Sequence, residues 1–284
     1  METNLAFEYL KKKIRSIGIN CSGYKDEFLK RRLEGRMRLL GIVTYADYAH
    51  YLEKYPSEFN DLYDALTINV SEFFRDASVW SALRHSILPA MMKDKLASGR
   101  KEIRVWSAGC ADGEEAYSHA ILILETLAYL SRSFKIEVLG TDIDTPSLNR
   151  AKKGVYPPSR LRLVDKSILQ RYFIPSAGGT FTISQPVKDL VTFKHHDLFT
   201  PPQSADFDII SCRNVIIYFS RELQQALFQN FCNALVPGGY LILGKVETLF
   251  GEAACRFTGE NLPERIYKKG SVAIAVALGS RTTR

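Results

Sequence analysis

The sequence predicts an α/β protein in which a mainly parallel sheet domain, carrying a small antiparallel β-subdomain, follows an all-α N-terminal domain. Three observations carry that expectation. Residues 4 to about 67 show helical periodicity throughout, with turn signals at Gly18 to Gly23, Gly41 to Thr44 and Pro56-Ser57 and no convincing strand. From about residue 100, short apolar strands alternate with amphipathic helices, the pattern of a parallel sheet with helices on both faces. Between 172 and 196 that rhythm breaks. Gly178-Gly179, the alternating stretch Thr180 to Ser184 and the run Leu190 to His195 predict a small antiparallel insertion.

Composition sets the frame for these elements. The 284 residues are 46% hydrophobic and carry a net charge of +7, enough apolar content for a full core and a balance that favours an acidic partner. Met1 to Asn4, followed by Lys11-Lys12-Lys13, lacks the apolar stretch of a signal peptide. Ser271 to Ser280 falls short of the roughly 18 apolar residues that span a bilayer. Cys21, Cys110, Cys212, Cys232 and Cys255 form no Cys-x-x-Cys pair. Reduced thiols in a cytoplasmic protein are therefore expected, with no disulfide frame and no metal site.

In the helical region, residues 25 to 40 set six cations (Lys25, Lys30, Arg31, Arg32, Arg36, Arg38) against Asp26, Glu27 and Glu34. Leu29, Leu33, Met37 and Leu40 form one apolar stripe; Arg31 and Arg38 lie opposite it, and Arg32 and Arg36 pair on its flank. A solvated face of a packed helix and a docking face for an acidic partner both fit. A nucleic-acid surface fits less well, because Phe and Tyr do not alternate with the cations as a base-stacking surface would need.

The strand Glu102 to Trp106 runs through a small-residue turn into a helix over 113–131. Gly109 and Gly113 allow positive φ and close approach of a ligand, while Asp112, Glu114 and Glu115 crowd the helix start. Carboxylates there repel a phosphate, and the Gly-x-x-x-Gly spacing is that of neither a dinucleotide fingerprint nor a P-loop. A ligand with a ribose and a cationic end, S-adenosylmethionine (SAM), fits better; a strand-turn-helix with purely structural duty is the other reading. The next strand, Lys135 to Gly140, leads to Asp142, placed to hold ribose hydroxyls, with Asp144 as a cap for the helix 145–153. His195-His196-Asp197-Leu198 follows the insertion. Asp197 suits an adenine amino group, and adjacent histidines on a strand point opposite ways, against a shared metal. The strand Phe207 to Ser211 ends in Cys212-Arg213-Asn214-Val215-Ile216-Ile217-Tyr218-Phe219, where Asn214 reaches towards a cofactor and Tyr218 lines the acceptor side. Helix 220–235 and strands Gly239 to Leu243 and Arg265 to Lys268 complete the order. No Asp or Asn followed by Pro-Pro and an aromatic residue occurs at this position, which demotes methylation of nucleic-acid amines.

Upstream, Thr67-Ile68-Asn69-Val70-Ser71-Glu72-Phe73-Phe74-Arg75-Asp76 is a segment that generic SAM enzymes do not need. Together with Trp106-Ser107-Ala108-Gly109-Cys110, Gly113-Glu114-Glu115, Thr141-Asp142-Ile143-Asp144 and the run Cys212 to Phe219, it closely resembles the CheR family of chemotaxis receptor glutamate methyltransferases. The match runs in order over nearly the whole chain. The resemblance implies a helical N-terminal domain and linker start over 1–76, and a Rossmann-like SAM-dependent methyltransferase domain over 77–284 with residues 172–196 as its inserted β-subdomain. It implies methyl transfer from SAM to glutamate side chains of helical methyl-accepting receptors, leaving S-adenosylhomocysteine and a glutamyl methyl ester. On the matching positions it places Asn69, Ser71, Arg75, Glu115, Asp142, Asp197, Leu198, Asn214 and Val215 against the cofactor, and Arg75 and Tyr218 beside the transferred methyl. Arg31, Arg32, Arg36 and Arg38 would dock on the acidic methylation helices, with no nucleic acid and no membrane insertion. Ser71 stands where Thr is common, Asp197 where Asn also occurs and Ala116 where Pro is frequent. Gly244-Lys245-Val246-Glu247 replaces the family's Gly-His-Ser-Glu, which puts the role of that turn in doubt. Two rival classes stay open, a nucleic-acid methyltransferase and a noncatalytic SAM-binding adaptor.

Overall fold

A computed structural model describes residues 2–16, 21, 23–66, 71–128 and 133–270. The chain divides into a helical unit, Met1–Ile68 joined by Tyr218–Gln224, and a sheet unit, Asn69–Ile217 with Gln225–Arg284. The segment expected to end the helical domain at residue 76 thus falls with the sheet unit from residue 69 on.

The helical unit contains α1 (Glu2–Ser16), α2 (Asp26–Leu40), α3 (Tyr45–Lys54) and α4 (Glu58–Leu66). Phe7, Leu10 and Ile14 repeat on one face of α1 and bury against Leu29, Leu33 and Met37 of α2, Tyr48 and Leu52 of α3 and Leu62 of α4. α2 stops because Gly41 takes φ +69°; its N–H donates to the Arg38 carbonyl while the N–H of Ile42 donates to the Met37 carbonyl. Thr44 then caps α3 by accepting from the Asp47 N–H at 3.1 Å. Tyr218–Gln224 joins this unit through a bridge between Tyr24 and Phe219 and through the Ser220 N–H donating to the Gly23 carbonyl at 2.8 Å.

Among the described residues, the main sheet of the second unit has seven strands in the order β6-β2-β1-β7-β8-β10-β9. These are β1 (Glu102–Ala108), β2 (Lys135–Asp142), β6 (Val191–His195), β7 (Phe207–Cys212), β8 (Leu235–Leu243), β9 (Phe257–Asn261) and β10 (Ile266–Lys269). The first five run parallel; β10 is antiparallel to β8, and β9 to β10. β7 is buried along its whole length, as a central parallel strand must be. The period-2 alternation of β1 divides two helix layers. Ile103 and Val105 face the core shared with Ala116, Ala120 and Ile123 of α7 (Glu114–Leu127), whereas the Trp106 ring lies 5.4 Å from Phe231 of α11 (Arg221–Ala234). α5 (Ala77–Ala82), a π-helical turn over Leu83–Ile87 and α6 (Leu88–Ala97) precede β1, and α8 (Thr145–Lys153) follows β2.

The antiparallel insertion is real but its limits differ from 172–196. The small sheet is β3 (Val155–Tyr156), β5 (Thr180–Ile183) and β4 (Phe173–Ser176), in the order β3-β5-β4, with Gly178 and Gly179 at φ +68° and +72° turning β4 into β5. α9 (Lys166–Tyr172) leads into it and the short α10 (Gln185–Lys188) leaves it. The run Leu190 to His195 belongs elsewhere: β6 pairs parallel with β2 at the sheet edge. Nothing local to that run marks its partner, which lies about 50 residues upstream. None of the described helices is long and apolar enough to cross a membrane.

Candidate functional site

In the sheet unit, Glu115, Asp142, Asp197, Leu198, Asn214 and Val215 follow or end four neighbouring strands, β1, β2, β6 and β7, while Ser71 and Arg75 precede the first strand. The chain reverses direction across the sheet at β1, with β2 built out on one side and β7 on the other. Such a switch point leaves a crevice beyond the strand ends. The turn after β1 is closed tightly here. Gly109 has φ +79°, and a Cβ on it would fall 2.6 Å from a Val215 methyl; Gly113 has φ +92°, and a Cβ there would fall 2.8 Å from the Phe193 ring. Both positions therefore require glycine, and Val215 packs on the first loop of the site.

The three carboxylates of the helix start have different employers. Asp112 accepts from Arg150 Nε at 2.9 Å. Glu114 is fully buried with its Oε1 3.3 Å from Arg160 Nη1, and burial outweighs that partner to push its carboxyl up to about 7. Glu115 accepts from Ser107 Oγ at 3.0 Å and from Arg213 Nη1 at 3.2 Å. Asp142, last in β2, accepts from the N–H groups of Ala111 at 2.8 Å and Asp144 at 2.9 Å, and burial raises its pKa. Asp144 caps α8 by accepting from the Ser147 N–H at 3.2 Å.

The motif segment is gripped from several sides. The Ser71 carbonyl accepts from Arg160 Nη1, and Phe73 is buried edge-on to Tyr156 and Phe173. Phe74 takes φ +55° and donates its N–H to Ser118 Oγ at 3.1 Å. The carbonyl of half-buried Arg75 accepts from Trp80 Nε1 at 2.8 Å and from Arg213 Nη2 at 3.0 Å. Its acidic neighbours have other arginines: Asp76 meets Arg213 at 2.6 Å and Glu72 meets Arg162 at 3.7 Å. Asn69 lies outside the described residues.

Beyond β6, Asp197 is half-buried and accepts from the Phe199 N–H at 2.9 Å, with Leu198 buried beside it. His195 is exposed and His196 buried, on opposite sides of the chain. Asn214 takes φ +61°, a left-handed conformation, and donates its N–H to Glu247. Tyr218 falls in the helical unit, where its carbonyl accepts from the Lys25 N–H at 2.9 Å and its ring sits 4.7 Å from Phe28.

The four arginines of α2 separate by environment. Arg31 and Arg38 are exposed opposite the apolar stripe, and the Arg32 guanidinium lies 5.6 Å from the Phe28 ring. Arg36 is committed within its own unit. It forks onto buried Glu58 at 2.9 and 2.7 Å and reaches Asp61 at 3.0 Å, while Tyr48 Oη donates to the same glutamate at 2.9 Å. Its i+4 position after Arg32 put it on the same flank, but α4 supplies the carboxylate that claims it.

Three residues that organise the site escaped sequence reasoning. Arg213 bridges Glu115, Asp76 and the Arg75 carbonyl; Arg160 bridges Ser71, Asp112 and Glu114; Glu247 binds the 214–217 loop. Arg213 lay inside the Cys212 to Phe219 motif, and Glu247 inside the turn whose role was in doubt. No local signal marks Arg160.

Comparison with known proteins shows the family to which the chain belongs. The CheR methyltransferase SAM-binding domain matches residues 69–265 and the CheR methyltransferase all-alpha domain matches residues 5–67. The chain is 33% identical over 240 residues to a chemotaxis protein methyltransferase of Borreliella burgdorferi, covering 83% of this chain and 85% of that one. It is 31% identical over 239 residues to a chemotaxis protein methyltransferase of Listeria innocua, covering 84% and 88%, and 32% identical over 248 residues to one of Escherichia coli, covering 85% and 82%.

Proposed function

We propose that this chain, which belongs to the CheR methyltransferase family and uses S-adenosylmethionine, methylates glutamate side chains of methyl-accepting chemotaxis receptors to give glutamyl methyl esters. SAM-dependent methylation in chemotaxis follows from the family; the glutamate acceptor is the inference. The donor set suits this cofactor. Carboxylates in the first turn of α7 and at the end of β2, Glu115 and Asp142, could accept from ribose hydroxyls and suit a cationic ligand, and they would repel a pyrophosphate. Ser71, Asp197, Leu198, Asn214 and Val215 would complete the cofactor contacts with Asn69.

The family match carries this reading, and two of the five imidazoles are poor bases, in keeping with an acceptor that needs none. His119 is sealed 4.8 Å from Trp80 and pushed down to about 4 by burial, and His196 is buried beside Trp106 and also pushed down. An amine or hydroxyl acceptor must lose a proton, which calls for a base. A glutamate carboxylate, with an ordinary pKa near 4.3, is already ionised at neutral pH and needs none. When bound, SAM supplies a sulfonium methyl. Arg75 would align the acceptor carboxylate by a charge-assisted contact without claiming both oxygens, and Tyr218 would close the acceptor side. Joining an anion to a cation disperses charge, so a partly dry, aligned site supplies much of the rate. Arg31, Arg32 and Arg38 offer the cationic face for acidic receptor helices, and Arg36 holds α2 to α4.

The experiment is incubation with methyl-labelled SAM and either receptor cytoplasmic fragments, DNA or RNA. Label in the receptor alone is expected. Label in nucleic acid selects the rival enzyme class, and SAM binding with no transfer selects an adaptor.

A further inference from the structure

The turn after β8 differs from its family pattern at two of four positions and keeps Gly244 and Glu247. The Glu247 N–H donates to the Gly244 carbonyl at 2.9 Å, which closes the turn and directs the side chain inward, where the residue is 4% exposed. Four backbone N–H groups converge on its carboxylate. Oε2 accepts from Gly244 at 2.6 Å and Asn214 at 3.1 Å; Oε1 accepts from Ile216 at 2.8 Å and Ile217 at 3.2 Å. Only a carboxylate can accept all four, because a carboxylic acid or an amide must turn hydrogens of its own towards an N–H. Burial pushes the Glu247 carboxyl up and the four amides oppose that push.

The loop needs such a partner. Pairing between β7 and β8 ends at Cys212 with Leu243, and Asn214 then adopts φ +61°, a left-handed conformation that residues with a Cβ rarely take. Gly244 is packed against the same place: a Cβ there would fall 2.8 Å from the Asn214 amide nitrogen and 2.8 Å from Glu247 Oε2. The loop so held carries Asn214 and Val215, the residues assigned above to the cofactor.

We propose that Glu247 is a positioning residue for cofactor binding: its carboxylate sets the Asn214–Ile217 loop in the conformation that receives S-adenosylmethionine. This rests on the reading of that loop as a cofactor contact. The test is calorimetric titration with S-adenosylhomocysteine, well below the melting transition, of the wild type, Glu247→Gln, Gly244→Ala and Asn214→Ala. Leaving a buried N–H unpaired is costly, so Glu247→Gln is expected to bind about tenfold more weakly or worse, and Gly244→Ala to weaken binding by pushing on the same amide. A residue that only braced the fold would lower the melting temperature and leave affinity in the folded protein unchanged. Wild-type affinity in folded Glu247→Gln overturns the proposal. Should that variant fail to fold, Gly244→Ala decides, and wild-type affinity there overturns it equally. If Asn214→Ala binds normally while Glu247→Gln is weakened, Asn214 is removed from the cofactor contacts and the loop's dependence on Glu247 stands.

Discussion

Asp112, Glu114 and Glu115 share one helix start, yet their arginines differ: Arg150 and Arg160 meet Asp112, Arg160 meets Glu114 and Arg213 meets Glu115. Glu114 is the one whose burial dominates. Its carboxyl rises from 4.5 to about 7 in the folded chain, so the unfolded chain ionises first as pH rises. Stability from this group is therefore complete below about pH 4.5 and is lost as pH climbs towards 7, by about 3 kcal/mol in all. Glu114→Gln should gain about that much on the wild type between pH 4.5 and 7.5 in urea unfolding, and a difference flat with pH contradicts the assignment. Arg75 makes a prediction of another kind. Arg75→Ala should cut turnover roughly 100-fold while changing SAM affinity little, as expected for a donor that matters most in the transition state. Equal losses in turnover and affinity would refute an acceptor-side role. Asp142 stood out in the sequence as an acid at the end of an apolar strand, whereas Glu115 was singled out from three neighbouring carboxylates by the resemblance alone. Arg160 and Arg213 did not stand out, since an arginine's partners come from segments far along the chain.

Helix α2 shows how a charge run resolves once its neighbours are placed. Of the stripe Leu29, Leu33, Met37 and Leu40 read from periodicity, the first three are buried and Leu40, at the helix end, is partly buried. The cations were not separable, because α4 supplies the carboxylates of Glu58 and Asp61. Charge reversal at Arg31 and Arg38 should raise the apparent KM for receptor without changing SAM binding, and an unchanged KM returns those residues to a solvated face. Arg36→Ala is expected to act on stability instead, by about 3 kcal/mol, because it leaves Glu58 buried without its cation. Strand β6 was misplaced for a related reason. The run itself was visible, but the parallel partner β2 that assigns it to the main sheet is about 50 residues upstream.

Across the whole molecule, the alternation of β1, α7, β2, α8, β7, α11 and β8 was legible because each of these elements declares its own period, whereas α5, α6 and β9 were not read. The small sheet's first strand, β3, has two residues and no pattern of its own, so the insertion was read too late in the chain. The account unites these levels in one claim: a CheR-family sheet domain presents SAM to an acceptor that is already an anion. The bond formed is the most direct test. Receptor labelled with methyl-SAM by this protein should release its label as methanol in mild alkali, since a glutamyl methyl ester hydrolyses there. Label that survives the same alkali, as an N-methyl group does, would contradict the account.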